Sequence, residues 1–435
     1  MDQLVLRRLR AEVADAVSRQ RRDDADSGLP PMTSEDERQY ARAVIARVLE
    51  THARSEISAG RTPPDAREEA ELADGIHAAL YGVGRLQPLL DDPDVENIDI
   101  NGYDNVFVGY ADGEERMLPP VADSDEELIE LVQVLAAHSG LTSRPFDTAN
   151  PQLDLRLPDG SRLSAVMGVT QRPSLSIRRA RLSRVSLDML VENETLTPDL
   201  ASFLSAAVAA RKNIMIAGAT NAGKTTLLRA LANEIPAHER LITVERALEL
   251  GLDKYPDLHP NVVAFEERLP NSEGRGYIGM ADLVRRSLRM NPSRVIVGEV
   301  LGDEIVTMLN AMSQGNDGSL STIHANSSLE VFNRICTYAI QSSERLPADA
   351  TMMLIAGAID FVVFVKRRND YATGGGLRRA VTSVREVNGV DGRVLSSEVF
   401  AQGRDGRLMA AAAISCIDEL EAAGYVQGVY QPQGV

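Results

Sequence analysis

The sequence predicts an α/β protein in which a C-terminal parallel sheet flanked by helices follows a smaller α+β N-terminal domain and a helical N-terminal extension. Three observations predict it. From about residue 198 onward, helical patterns alternate with short β-branched runs, the order that a parallel sheet with helical crossovers requires. One of those runs, Asn213 to Ala217, leads through a glycine-bounded loop straight into a helical stretch, which is the strand, loop and helix of a phosphate-binding unit. Between roughly residues 65 and 185 the pattern is instead short strands with two helices, as in an α+β domain. The 435 residues exceed what one hydrophobic core supports, and the expected division is 1–65, 66–190, 191–370 and a C-terminal extension, 371–435.

In the extension, Ser34 and Glu37 have capping-box spacing, and Ala41, Val44, Ile45, Val48 and Leu49 then fall on one helical face. Asp23 to Met32, with Gly28, Pro30 and Pro31, reads as a flexible joint between two helices, and Pro63 and Pro64 close the segment. The α+β domain is expected to hold strands at Asn97 to Ile100, Val106 to Gly109, Arg162 to Met167 and Ser174 to Arg178, with helices over 67–81 and 124–139. A helix from Pro198 to Arg211 opens the C-terminal domain. After Gly374, Gly375 and Gly376 the tail gives strands at Arg379 to Val387 and Val394 to Phe400, then an alanine-rich helix near 409–423.

Composition narrows the function classes. No apolar run approaches the roughly 18 to 20 residues that span a bilayer, and Met1 to Arg10 lacks the apolar core of a secretory signal, so a cytoplasmic protein is expected. Cys336 and Cys416 are too few for a disulfide framework or a four-cysteine zinc site. The net charge of -17 argues against a nucleic acid partner, because a phosphate backbone needs a basic face.

The chemistry is concentrated in Gly218, Ala219, Thr220, Asn221, Ala222, Gly223, Lys224, Thr225 and Thr226, which match the pattern GxxxxGK[ST] between an apolar strand and the helical Leu227 to Asn233. The glycines permit a tight turn with N–H groups aimed inward, and the helix N-terminus adds partial positive charge. Lys224 is expected on the β and γ phosphates of a nucleotide and Thr225 on its magnesium. Arg294 to Glu299 is an apolar strand ending in a carboxylate, so Glu299 holds magnesium or acts as general base. Leu241 to Glu245 closes the same way, and in a doubly wound sheet the carboxyl ends of the strands converge on the ligand crevice. Glu245 therefore competes with Glu299 as the base; Glu249, four residues later, reads as a solvent-facing acid. His324, in Gly315 to Asn326, is by itself more often a hydrogen-bonded structural histidine than a catalytic one.

Taken in order, these segments resemble the secretion traffic ATPases of the type II/type IV secretion superfamily, and most closely the CpaF-like ATPases of tight-adherence (Flp) pili. The resemblance spans roughly residues 70 to 390 and is carried by Gly84 to Leu90, Ile100 to Gly102, Arg156 to Arg162, Ser176 to Arg179, the phosphate loop, Val244-Glu245, Leu283 to Arg285, Leu288 to Met290, Val295 to Glu299 and Ser321 to Asn326. It implies a RecA-like P-loop NTPase domain, a homohexameric ring, and ATP with Mg2+ held between N-terminal and C-terminal domains. It also implies Glu245 as the catalytic base, Glu299 as the Walker B acid, and His324 as the centre of a box that senses nucleotide state. Arg156, Arg162 and Arg178 match the family's phosphate-directed arginines. The resemblance further implies a motor peripheral on the cytoplasmic face of the membrane, docked on an inner-membrane platform protein and driving pilus assembly or secretion, with no direct nucleic acid contact. A conjugation-type ATPase moving protein or DNA, or an ATP-binding scaffold with weak hydrolysis, is the alternative. Two departures bear on that choice: Arg246 stands where the family carries an acid, and Leu301 where it carries arginine.

Overall fold

A computed structural model describes residues 3–27, 32, 34–81, 84–138, 145–157, 159–179, 184–270, 274–369, 377–403 and 406–427. The chain divides into two compact units, Met1–Arg179 and Ala180–Val435.

The first unit begins with three helices, α1 (Gln3–Asp26), α2 (Ser34–Ser58) and α3 (Ala66–Tyr81). The periodic positions Ala41, Val44, Ile45 and Leu49 of α2 pack with Leu9, Val13 and Val17 of α1 and Leu72 and Ile76 of α3 in a small core of their own. Helix α1 runs to Asp26, beyond the start of the expected joint, and residues 28–31 of that joint lie outside the described residues. Helix α4 (Gln87–Asp91) then leads into β1 (Val95–Asn101), β2 (Val106–Tyr110), β3 (Glu115–Leu118), helix α5 (Asp125–His138), β4 (Gln152–Arg156), β5 (Arg162–Val166) and β6 (Ser174–Arg178). The strands form one antiparallel sheet in the order β3-β2-β1-β6-β5-β4. Alternate residues such as Leu153, Leu155, Leu163, Ala165, Leu175 and Ile177 face a core closed by Leu128, Val132 and Leu135 of α5, the period-two burial of a one-sided sheet. Strands β3 and β4 are additions to the expected set: β3 is exposed except at Leu118, which packs on the core, and β4 carries no β-branched or aromatic residue.

The second unit opens with α6 (Leu187–Glu192) and α7 (Pro198–Ala209), capped by the Ser186 and Thr197 hydroxyls, which accept from the amides of Met189 and Leu200. These are side-chain N-caps that satisfy otherwise orphaned donors. There follow β7 (Ile214–Gly218), α8 (Lys224–Asn233), β8 (Leu241–Glu245), β9 (Val262–Glu266), α9 (Met280–Ser287), β10 (Arg294–Val300), α10 (Glu304–Ser313), β11 (Leu320–His324), α11 (Glu330–Gln341), α12 (Ala348–Ala358) and β12 (Phe361–Asn369). The tail adds β13 (Leu377–Val390), β14 (Val394–Gln402), β15 (Leu408–Ala410) and α13 (Ile417–Ala422). The nine strands lie in the order β15-β14-β13-β12-β7-β11-β10-β8-β9, parallel from β12 to β9 and antiparallel from β12 to β15.

The central strand β7 is buried at all five residues, as a parallel strand covered on both faces must be. Ile214 and Ile216 face a core with Leu227, Leu228 and Phe203, while Met215 and Ala217 face a second core with Val284, Ile305, Leu309 and Ile355. Helices α7 and α8 thus cover one face and α9 to α12 the other, which is the three-layer α/β architecture expected for this part of the chain.

The tail corrects one expectation. The stretch 409–423 is not a single helix: Leu408–Ala410 pairs with β14, and only Ile417–Ala422 is helical. The cause is Glu386, 4% exposed, whose carboxylate accepts from the amides of Ser415 and Cys416 and so fixes where the helix can start. Leu420 and Tyr425 then enter the α7 side of the core, where the Tyr425 ring meets Phe203 edge-on at 5.8 Å. The glycines expected to begin the tail, Gly374 to Gly376, lie outside the described residues.

Candidate active site

Strand register gathers the chemistry at one end of the large sheet. Pairing of β7 with β11 sets His324 opposite Gly218. Pairing of β10 with β11 sets Val300 opposite Ile323, which brings Glu299 beside His324. Pairing of β10 with β8 sets Val297 opposite Val244, and a Cβ added at Gly298 would stand 2.9 Å from Glu245 Cγ. The loop, the histidine and both acids therefore occupy adjacent carboxyl ends of parallel strands, the position at which open α/β sheets bind ligands.

The loop after β7 is shaped by its glycines. A Cβ at Gly218 would lie 2.4 Å from the Val365 carbonyl oxygen of the neighbouring strand, so β12 can pair this closely only with glycine there. Gly223, at φ +97°, is the left-handed residue that starts α8. Asn221 is also left-handed, at φ +59°. Ala219, Thr220 and Asn221 form the exposed crest, and Ala222 is anchored in the core. Lys224 is 7% exposed, and its Nζ donates to the Ala219 carbonyl at 3.1 Å, across the mouth of the loop.

Lys224, His324 and Glu299 make a chain. Lys224 Nζ lies 3.2 Å from His324 Nδ1, and His324 Nε2 lies 2.6 Å from Glu299 Oε1. A neutral ring lets Nε2–H donate to the carboxylate, while the ammonium stands almost equally near both ring nitrogens, 3.4 Å from Nε2 as well, off the line of the Nδ1 lone pair. Partial burial first, and the Lys224 charge second, hold His324 below the ordinary imidazole range, against the opposing pull of Glu299. The His324 and Glu299 side chains keep 32% and 36% of their exposure, so the chain opens to solvent where a ligand would approach.

Glu245 is differently placed. It is 2% exposed, with Oε2 accepting from the amides of Glu249 (2.7 Å) and Leu250 (2.8 Å) and Oε1 from the Thr243 hydroxyl (3.1 Å). Burial raises its pKa despite these donors, because desolvation penalises the charged form. What Glu249 contributes here is its backbone N–H. Thr243 escaped notice in the sequence because its position in a buried strand looks like β-propensity alone. The two departures have structural partners: Arg246 Nε lies 3.1 Å from Glu267 Oε2, and the Leu301 amide donates to Glu304, which is 3% exposed.

The three arginines belong to the first unit and form a row. Arg156 pairs with Arg162 across β4 and β5, and Arg162 with Arg178 across β5 and β6. All three project from the face opposite the core, since Leu155, Leu163 and Ile177 face inward. The β4–β5 turn that aligns them is held by the Leu157 amide donating to the Ser161 carbonyl and by Asp159 accepting from the Ser161 amide and hydroxyl. Like charges directly opposed across strands repel.

One neighbour of the loop was illegible in the sequence. The Nε of Arg379, on β13, donates to the Asn221 carbonyl at 3.1 Å across 158 residues of sequence. Only the pairing of β12 with β13 brings it there.

Comparison with known proteins adds relatives to this geometry. The family model described as type II/IV secretion system protein matches residues 82–409. The chain is 32% identical over 337 residues to a provisionally named conjugal transfer protein of Mycobacterium tuberculosis, covering 76% of this chain and 91% of that one. It is 29% identical over 325 residues to the type IV secretion system protein VirB11 of Brucella suis, covering 66% of this chain and 86% of that one. Among solved structures, the Brucella suis VirB11 ATPase in complex with sulphate shares 29% identity over 69% of this chain and 91% of that one, with a TM-score of 0.37.

Proposed function

The chain belongs to the type II/IV secretion system protein family, that of the VirB11-like secretion ATPases, and on that premise we propose that it is an ATP-hydrolysing motor of a pilus-assembly or secretion machine. The observation that carries the reading is the chain from Lys224 through His324 to Glu299 at the mouth of a glycine-shaped loop. The ammonium and the carboxylate that a terminal phosphate calls for stand together there.

In this reading the loop from Gly218 to Thr226 cradles the phosphates and Lys224 leaves Ala219 and His324 for the β and γ oxygens. The Thr225 hydroxyl and Glu299 carboxylate fit magnesium, which would neutralise phosphoryl charge when bound. Among the described residues no group of three or more His, Cys, Asp or Glu is placed to hold a metal alone, and magnesium characteristically takes most of its ligands from water and substrate phosphates. His324 senses occupancy because a phosphate competes with it for Lys224. Glu245 is the base, its raised pKa suiting proton acceptance, and its release from the amides of Glu249 and Leu250 accompanies that role. Arg156, Arg162 and Arg178 are assigned as anion-contacting residues.

The assembly proposed is a homohexamer, peripheral on the cytoplasmic face of the membrane, docked on an inner-membrane platform protein and specialised as in CpaF-like Flp pilus motors. No helix among the described residues is long and apolar enough to cross a membrane. A second reading, a conjugation-type motor, is favoured by the Mycobacterium tuberculosis and VirB11 relatives; the net charge of -17 weighs against its handling DNA directly. A scaffold that binds ATP with little hydrolysis is motivated by Arg246 and Leu301. Phosphate release by the purified chain, together with ATP binding by Glu299→Gln and Glu245→Gln, separates these. The motor reading expects turnover in the wild type and, in both variants, retained binding with hydrolysis reduced at least about a hundredfold. Binding without turnover in the wild type, even with a membrane partner reconstituted, favours the scaffold, and loss of binding in both variants contradicts the roles given to the two acids.

A further inference from the structure

The phosphate loop is touched from outside by a residue that neither the motif nor the acids require. Arg379 lies on β13, one strand beyond β12. Its stem crosses the loop at the start of α8, where a Cβ added at Gly223 would meet Arg379 Cδ at 3.2 Å. Its Nε then donates to the Asn221 carbonyl at 3.1 Å. Arg367, exposed, stands directly opposite Arg379 in the β12–β13 register. Opposed like charges repel across antiparallel strands, which favours the Arg379 head leaving the sheet for the loop.

The residue so held is the one non-glycine residue of the loop with a left-handed backbone. Asn221 sits at φ +59°, a left-handed conformation that asparagine adopts at a cost and glycine adopts freely. A loop that offers its amides to an anion must turn carbonyls outward, and an outward carbonyl at the crest needs a donor. Arg379 provides a charged one, stronger than a neutral donor.

We propose that Arg379 is a positioning residue of the phosphate loop, holding the Asn221 carbonyl outward so that the loop keeps its anion-binding shape with a non-glycine residue at its crest. The proposal rests on reading the loop as the seat of a triphosphate. It explains why Gly223 carries no side chain beyond what its own backbone requires, and why the C-terminal hairpin belongs to the nucleotide-binding unit.

The test is a double-mutant cycle in the full-length protein, read by the affinity for a fluorescent ATP analogue with magnesium and by the melting curve of each variant. Arg379→Ala is expected to weaken binding about tenfold, the size of one charge-assisted hydrogen bond, without shifting the melting curve. In an Asn221→Gly background the same substitution is expected to cost less than about threefold, because glycine no longer needs the brace. Arg379→Lys, which keeps the stem and charge but lacks the Nε donor, is expected to weaken binding in the same sense and to be rescued by Asn221→Gly; it serves if Arg379→Ala disturbs folding. Equal affinity of the wild type and Arg379→Ala, or an equal loss in both backgrounds, overturns the proposal and leaves the nucleotide reading standing. A wild type that binds the analogue no better than Lys224→Ala overturns both.

Discussion

Glu245 has the environment that separates function from stability most sharply at the scale of single residues. Its carboxylate is desolvated, so its folded pKa is raised above the unfolded value. The sign is then fixed: a group of this kind favours the fold below its unfolded pKa and loses that contribution as pH rises through the folded one. Glutamine keeps an acceptor for the amides of Glu249 and Leu250 and can donate to the Thr243 oxygen. Glu245→Gln should therefore melt no lower than the wild type at pH 7, whereas Glu245→Ala, which strands two buried amides, should lose about 2 to 4 kcal/mol. Urea denaturation of both variants checks this, and a destabilised Glu245→Gln would mean that the charge itself holds the 246–250 turn.

His324 carries the opposite sign. Its folded pKa is lowered by burial and by Lys224, so the unfolded chain binds the proton more readily and stability rises with pH through that window. The contribution is fully present above about 6.5, the unfolded imidazole value, and is lost as pH falls through the lowered folded value. His324→Gln should shrink the drop in unfolding midpoint between pH 7 and pH 5, leaving the share of His259, which burial also lowers. An unchanged drop would exclude His324 as a titrating member of the site. Spacing alone pointed to Lys224, Glu299 and Glu245, which follow a loop motif or close an apolar strand, whereas His324 was given a role only by the family resemblance. It could not name Thr243 or Arg379, whose parts depend on side-chain direction and on register between distant strands.

At the scale of elements, the burial of whole strands was legible because parallel strands covered on both faces read as continuous apolar runs. Strands β3 and β4 were missed because β3 has no fully buried residue and β4, Gln152 to Arg156, carries no β-branched or aromatic residue and has Asp154 at its centre. The tail helix was over-read because alanine content signals helix propensity, which tertiary contacts override; the capping of Ser415 and Cys416 by Glu386 decided its start. Placement of β7 rests on Asn213, 4% exposed, whose side-chain amide donates to the Ala358 and Met312 carbonyls and accepts from the Ser319 amide. Asn213→Ala should cost about 3 kcal/mol through the groups left unsatisfied. A loss under about 1 kcal/mol in chemical denaturation would show that the strands hold register without it.

At the scale of the molecule, the α/β character of the second unit was legible in its alternation of elements. The division at Arg179 and Ala180 reflects packing that periodicity does not report: Val185, Leu187 and Leu190 join the core around α7 and α8. The C-terminal hairpin, which bore no recognisable chemistry as sequence, completes that core and reaches the phosphate loop.

The central claim is that Lys224 and the loop before it seat the triphosphate whose terminal phosphate this chain releases. Phosphate release from magnesium–ATP by the wild type and by Lys224→Ala measures it directly. The account predicts turnover that falls at least about a hundredfold in the variant, with the fold intact by circular dichroism. Turnover unchanged by Lys224→Ala would contradict it.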